Sequence, residues 1–298
     1  MGKVVTKKSS YYRWRAREGY LFILPWLIGF CVFMGGPIVA AFLMGFTDWS
    51  MFKPPGFVGV ANYLKIVQDS FFWQSLKVTC IYLLNVPINL ALGLFLALLL
   101  NQNIRGQGIY RTIFYLPSVT SGVAVAILWL WIFMPDIGLI NNLLSKVGIE
   151  GPLWLMSERW VIPAFIILSM WSVGGMMLIY LGGLQGIPTS LYEAAIMDGA
   201  NFWKKFLHIT LPILTPILLF NLIMSVIGSF QIFTTVFIMT RGGPNYGSLF
   251  YVLYIYFNAF EWFKLGYASA LAIILFLIIL GATVFIFRSS AKWMYYEK

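Results

Sequence analysis

The groups able to do acid–base, nucleophilic or metal chemistry are few in this chain: ten carboxylates, one histidine and two cysteines among 298 residues. The carboxylates are Glu18, Asp48, Asp69, Asp136, Glu150, Glu158, Glu193, Asp198, Glu261 and Glu297, and none sits in the middle of an apolar run. Proton-coupled carriers keep ionisable groups within the bilayer as relays, and this chain has none to offer there. His208 cannot by itself make a zinc or haem site within the chain. Cys31 and Cys80 lie in or beside apolar runs and define no disulfide framework. No G-x-x-x-x-G-K-[ST] phosphate loop occurs, so the chain does not bind ATP by that route. No acidic cluster is present to hold Mg²⁺ for polyprenyl transfer.

What remains is uncharged polar chemistry. Asn221, Ser225, Gly228 and Ser229 fall at i, i+4, i+7 and i+8, one polar and small-residue stripe on a helix. Asn85, Asn89, Gly93 and Ala97 repeat the spacing upstream, with Pro87 between them. Such stripes let helices approach and hydrogen-bond across the contact, or they line a solute path; both uses draw on the same groups. For the upstream stripe packing is the favoured reading. Hydroxyls and amides beside aromatics such as Trp171 and Phe230 suit a sugar-like solute better than an ion.

A second segment, 185–212, asks for a different task. Pro188 stops the preceding helix or starts a turn. Ser190 followed by Glu193 reads as an S-x-x-E capping box, with a short helix beginning near Leu191. Gly199 can take the left-handed conformation that ends it. A further short helix is expected over Phe202 to His208, with Trp203 and Phe206 beside Lys204 and Lys205, before Pro212 opens the next long run. Apolar groups on a short capped loop suit docking to another protein, or a helix lying on the membrane surface.

The elements that position these groups are membrane spans. The chain is 60% hydrophobic and 10% charged, whereas soluble domains carry about 25% charged residues. Crossing a hydrocarbon core of ~30 Å takes about 20 apolar helical residues. Six continuous, non-alternating runs meet that length, at roughly 20–46, 77–101, 113–134, 161–184, 213–237 and 267–287. The first is too long for the apolar region of a cleaved signal peptide, and no A-x-A-like site follows. Ser248 to Phe263 is short and crowded with aromatics, which places it at the outer surface as an interfacial or partly buried helix. Six spans put both termini on one side. That side carries Lys3, Lys7, Lys8, Arg13, Arg15, Arg17, Arg105, Arg111, Lys204, Lys205, Arg288, Lys292 and Lys298. They outnumber Lys53, Lys65, Lys77, Lys146, Arg159, Arg241 and Lys264 opposite, so both termini are expected in the cytoplasm. The net charge of +10 is then a matter of topology and calls for no nucleic acid. The organisation read from the sequence is a cytoplasmic tail at 1–19, a transmembrane domain at 20–288 with a cytoplasmic loop at 185–212, and a second tail at 289–298.

The run EAAIMDGANFWKKFLHITLPIL resembles the EAA loop of ABC-importer permeases. Glu193, Ala194, Ala195, Asp198, Gly199, Ala200, Ile209, Leu211 and Pro212 match its pattern. Tyr110 to Asn141 and Phe237 to Asn245 resemble segments of the carbohydrate-importer branch, the maltose and glycerol-phosphate type. The resemblance implies an all-α membrane protein with a type I (MetI-like) importer permease core of six transmembrane helices. It implies a second permease chain as partner, two copies of a cytoplasmic P-loop ATPase, and an extracellular solute-binding protein. ATP and Mg²⁺ would belong to the ATPases and no cofactor to this chain. Glu193 to Gly199 would form the coupling helix, with Glu193 both capping it and facing a basic group on the ATPase. Ser172, Asn221, Ser225, Ser229 and Gln231 are the solute-path candidates by the same resemblance. The chain is expected in a prokaryotic cytoplasmic membrane and not to be an enzyme; a di- or oligosaccharide is the first choice of solute. A stand-alone facilitator or secondary carrier explains the spans and stripes but not the loop. A structural subunit of another membrane complex would show no solute dependence.

Overall fold

A computed structural model describes residues 10–102 and 104–291, with side chains described from residue 18 onward. Lys3, Lys7, Lys8, Lys292, Glu297 and Lys298, and the side chains of Arg13, Arg15 and Arg17, lie outside the described set. The chain is helical, and the only strand-like pairings among the described residues are two isolated bridges, Thr47 with Phe57 and Ser50 with Lys53.

The first apolar run forms α1 (Ser10–Phe30), a π turn (Cys31–Gly35) and α2 (Gly36–Met44). The helix therefore begins at Ser10, ten residues before the apolar run expected to start at 20. Its apolar stretch, Glu18–Met44, has no residue of its most apolar window buried inside the chain. A short helix α3 (Ala61–Gln68) leads into α4 (Ser70–Tyr82) and α5 (Asn85–Leu100), which together make one 31-residue span candidate.

Two expected straight spans are broken. Helices α6 (Gln107–Val119) and α7 (Gly122–Ile132) meet at 99°. Pro117 removes an N–H near the end of α6, and Thr120 and Ser121 are extended. A run read as crossing at 113–134 is thus two helices at a right angle. After α8 (Leu139–Lys146) and a 3₁₀ turn (Trp154–Met156), α9 (Val161–Trp171) and α10 (Gly174–Gln185) form a second bent pair, at 46°. Among the described residues, by length and composition, there are four continuous span candidates, and up to six if each bent pair is one span.

Then come α11 (Thr189–Met197), α12 (Phe202–Lys205), a π turn (Phe206–Thr210), α13 (Leu211–Phe230) and α14 (Thr234–Met239). The expected separate helix at 202–208 does not exist as such: Phe202–Met239 is one 38-residue candidate. Finally α15 (Tyr251–Tyr256) with a π turn (Phe257–Glu261) precedes α16 (Leu265–Ser290). The aromatic stretch around α15 is more deeply packed than an interfacial position requires. Phe250, Tyr251 and Leu253 are fully buried, and Tyr251 Oη donates to the Leu271 carbonyl of α16 at 3.0 Å.

Two apolar cores result. The larger joins α4, α7, α9, α14, α15 and α16 around Phe165, Phe250 and Tyr251. The smaller joins Ala97 and Leu100 of α5, Met177 to Leu184 of α10, Ile187, and Leu214 of α13. It lies at the end of the molecule from which 185–212 projects.

Candidate functional site

The loop at 185–212 is built by local rules, though not all of those expected. α11 starts at Thr189 with Pro188 in the cap position, and no side chain caps it. Ser190 sits inside the first turn, so the Ser190–Glu193 capping box does not form. Proline fixes a non-helical residue just ahead of the helix and moves the start upstream. The other end follows expectation. Gly199 has φ +70, its N–H donates to the Ile196 carbonyl at 3.0 Å, and Ala200 N–H donates to the Ala195 carbonyl at 2.8 Å. These two bonds make a complete Schellman cap. A cap absent from the sequence reading is Asn201, whose side chain accepts from Lys204 N–H at 2.9 Å. The signal was available: Asn directly before a helical run is a preferred N-cap.

Pro212 stands where α13 opens, as expected, but at no break in the helical run. It sits in the first turn of α13, which runs on from the π turn at 206–210. A proline has no N–H to return to an earlier carbonyl, and the widened turn accommodates it without ending the helix. Of the matched loop residues, Glu193, Ala194, Asp198 and Gly199 are exposed, and Ala195, Leu211 and Pro212 are half-buried. Apolar side chains face outward beside them: Met197 is 87% exposed and Trp203 66%. α11 has no buried residue.

The polar stripes meet one another. Asn85 and Asn89 of α5 reach different partners: Ser229 Oγ donates to Asn85 Oδ1 at 3.1 Å, and Asn89 Nδ2 donates to Ser169 Oγ of α9 at 3.1 Å. A side chain on Gly93 would press on Met176 at 3.1 Å, so the upstream stripe is a packing seam, facing α13 and α9 at its asparagines and α10 at Gly93. In α13 the stripe divides. Asn221 and Ser229 are buried in helix contacts, while Ser225 is half-buried and Gly228 exposed. Ser172 and Gln231 are exposed and follow directly on the last residues of α9 and α13. Tyr180 Oη and Asn221 Nδ2 are buried without a hydrogen-bond partner.

The breaks in α6–α7 and α9–α10 add groups that spacing did not reveal. Trp129 of α7 is buried with its Nε1 unpaired, and its ring lies 6.0 Å from that of Trp171, which is partly exposed at the end of α9. A side chain on Gly122 would meet Thr234 Cγ2 at 3.8 Å, which brings the start of α7 to the start of α14. Pro117, three residues ahead of a Thr-Ser pair, was the available signal. Interrupted helices that expose polar groups are how membrane carriers build solute contacts. Among the described residues no group of three His, Cys, Asp or Glu could hold a metal ion. The arrangement offers neutral hydrogen-bond donors and aromatic faces.

The far end of the molecule is cross-linked. Asn62 Nδ2 donates to the carbonyls of Gly45 and Thr47 at 3.0 and 2.8 Å, and Gly266 N–H donates to the Trp49 carbonyl at 3.0 Å. Asp69 Oδ2 accepts from Tyr267 Oη at 2.6 Å and from Tyr254 Oη. Burial, with the Asp69 carboxylate as a second cause, pushes the Tyr254 hydroxyl up to about 12. In the GGPN turn Gly242 has φ +89, a conformation that glycine adopts freely, and Asn245 Nδ2 donates to Glu158 Oε1 at 2.8 Å.

Residues 89–291 match the family model described as "Binding-protein-dependent transport system inner membrane component". The chain is 44% identical to the "Probable ABC transporter permease protein YesP" of Bacillus subtilis (strain 168), over 99% of this chain and 97% of that protein. It is 33% identical to the "Trehalose/maltose transport system permease protein MalF" of Thermococcus litoralis, over 95% and 96% of the two chains. Among solved structures it resembles a chain of the bacterial alginate ABC transporter in complex with an alginate pentasaccharide-bound periplasmic protein. The TM-score is 0.80 at 25% identity, over 91% of this chain and 93% of that one.

Proposed function

The chain belongs to the binding-protein-dependent transport system inner membrane components, the permeases of ABC importers, and from that premise we propose that it carries a di- or oligosaccharide inward across a prokaryotic cytoplasmic membrane. The observation that carries this reading is the pairing of two features in one helix. α13 holds the polar stripe, and its helical run begins in the loop that displays α11 and the aromatics of α12. A displacement of α12 is therefore delivered to the stripe through a continuous helical run.

In this reading six spans cross the bilayer, the two bent pairs counting as one each, and both termini lie in the cytoplasm. Loop 185–212 then meets a P-loop ATPase, and a second permease chain completes the path. An extracellular binding protein brings the solute to the far end. ATP binds more tightly to the closed ATPase pair, and that difference shifts the permease from inward- to outward-facing. This chain makes and breaks no covalent bond. Glu193, exposed on α11, faces the ATPase and contributes recognition only, since it caps nothing. Ser172, Ser225 and Gln231 contact the solute, with Trp171 as an aromatic platform; Asn221 and Ser229 hold the helices that present them. The trehalose/maltose and alginate relatives support a saccharide as the cargo class.

The test is uptake in proteoliposomes holding the complex isolated from its host through this chain. Maltodextrins of two to six units serve as cargo, with ATP supplied on the ATPase side. ATP-dependent uptake, with half-saturation raised by Gln231→Ala or Ser225→Trp, is the expected result. Uptake by the chain alone without ATP would replace this reading with a facilitator.

A further inference from the structure

α11 is attached to the rest of the chain in an unusual way. It has no buried residue, and the backbone on either side passes through a glycine, Gly186 before it and Gly199 after it. Of its side chains only Tyr192 packs against the smaller apolar core, as do Leu94 and Leu98 of α5 and Ile213 of α13. The Tyr192 hydroxyl lies 2.8 Å from Thr210 Oγ1. Thr210 is 5% exposed and is the last residue of the π turn that leads into α13. Its Oγ1 also lies 3.4 Å from the Lys205 carbonyl, across that turn. A threonine hydroxyl donates one proton, so Tyr192 donates to Thr210 and Thr210 donates to Lys205. A crevice of about 690 Å³ lies alongside, lined by Leu94, Leu98, Phe202, Phe206, Tyr192 and Thr210. Close packing does not wedge α11 in place there, and one side chain fixes its distance from α13.

We infer that Tyr192 and Thr210 are positioning residues that form the joint through which movement of α11 is passed to α13. The inference rests on the importer reading. The π turn suits the task, because a widened turn with a side chain bonded across it is a place where a helix bends. Without the hydroxyl pair, α11 still docks, but its displacement is taken up by the two glycine turns and the crevice. With the pair, α11 pulls on the residue directly ahead of Leu211 and Pro212.

The test uses the whole complex isolated from its host through this chain, with Cys31 and Cys80 replaced by serine. Spin labels are placed at the exposed positions 220 on α13 and 276 on α16, and their separation is measured without nucleotide and after trapping with ATP and orthovanadate. The expected result is a nucleotide-driven change that is lost in Tyr192→Phe and in Thr210→Val. The double variant is no worse than either single one, because both remove the same bond. Thr210→Ser keeps the hydroxyl and keeps the change. The nucleotide-free separation and the amount of bound ATPase stay as in the parent. A full nucleotide-driven change in both Tyr192→Phe and Thr210→Val overturns the joint, as does an equal shift of the nucleotide-free separation, which marks a static role. No change in the parent protein itself would instead count against the importer reading.

Discussion

The two ends of this molecule are built on opposite plans. At the far end, segments remote in sequence are fastened by side chains: Asn62 to the loop after α2, Asp69 to Tyr254 and Tyr267, and Asn245 to Glu158. At the other end, α11 has no buried residue and the loop is shaped by short-range caps, the backbone cap at Gly199 and the Asn201 side chain, with the Tyr192–Thr210 bond tying α11 to the residue ahead of α13. Cross-links between distant segments fix a shape. Local caps fix a helix but leave its position to whatever it docks on. The difference suits the proposed reading, in which the cross-linked end receives the solute and the loosely held end is moved by the ATPase.

The sharpest way to break the comparison is at Gly266. A Cβ there would lie 2.0 Å from the Thr47 carbonyl oxygen, a backbone atom that cannot swing aside. Gly266→Val is expected to cost more than ~3 kcal/mol, at or beyond the upper end of overpacking effects, and to lower the thermal midpoint in detergent by many degrees. Asp69→Ala comes next. It leaves two tyrosine hydroxyls without their acceptor and is expected to cost about 1–3 kcal/mol, read by the same melt, with no effect on ATPase binding. Gly199→Ala should be milder. Nothing lies within 4 Å of the added Cβ, so the cost is the left-handed φ of +70 alone, about 1–2 kcal/mol. It should appear as weaker ATPase binding without a change in the melt.

The smallest effect is one of pH. The Tyr254 hydroxyl is raised to about 12, above its ordinary value of 10.0. The unfolded chain releases that proton first, so the folded form is stabilised fully below pH 10 and loses that stabilisation as pH rises toward 12. Tyrosinate absorbance and thermal midpoint followed together from pH 9 to 12 should show the decline. Asp69→Ala, which removes the second cause of the shift, should lower the pH at which Tyr254 ionises in the folded protein and shrink the decline, leaving its onset near pH 10.

How far the sequence foretold this depends on the range of the interaction. The spans were legible because a hydrocarbon solvent demands long apolar helices, and α16 and the α4–α5 run stand where expected. The loop was legible at Gly199, where a left-handed cap is a property of one residue. It failed at Ser190, where Pro188 set the helix start, while Pro212 opens α13 as expected but marks no break in the helical run. The right angle between α6 and α7 was carried by Pro117 and two extended residues, a signal weaker than the apolar run that hid it. The far-end cross-links were not legible at all: Asp69 meets partners 185 and 198 residues away. No spacing rule reaches that far. Of the polar stripe, periodicity found the residues but could not separate Asn221 and Ser229, which are buried, from Ser225, which is half-buried, and Gly228, which is exposed.

The claim on which the account turns is that the 185–212 end is where the motor attaches. The direct measurement is affinity isolation of the tagged chain from its host membrane in mild detergent, with mass spectrometry of what accompanies it. The parent chain is compared with an Ile196→Glu, Met197→Glu variant, which puts charge on the exposed apolar face of α11. The account predicts a second permease and a P-loop ATPase with the parent, and loss of the ATPase alone from the variant. Recovery of the parent without an ATPase, or an ATPase retained by the variant, would contradict it.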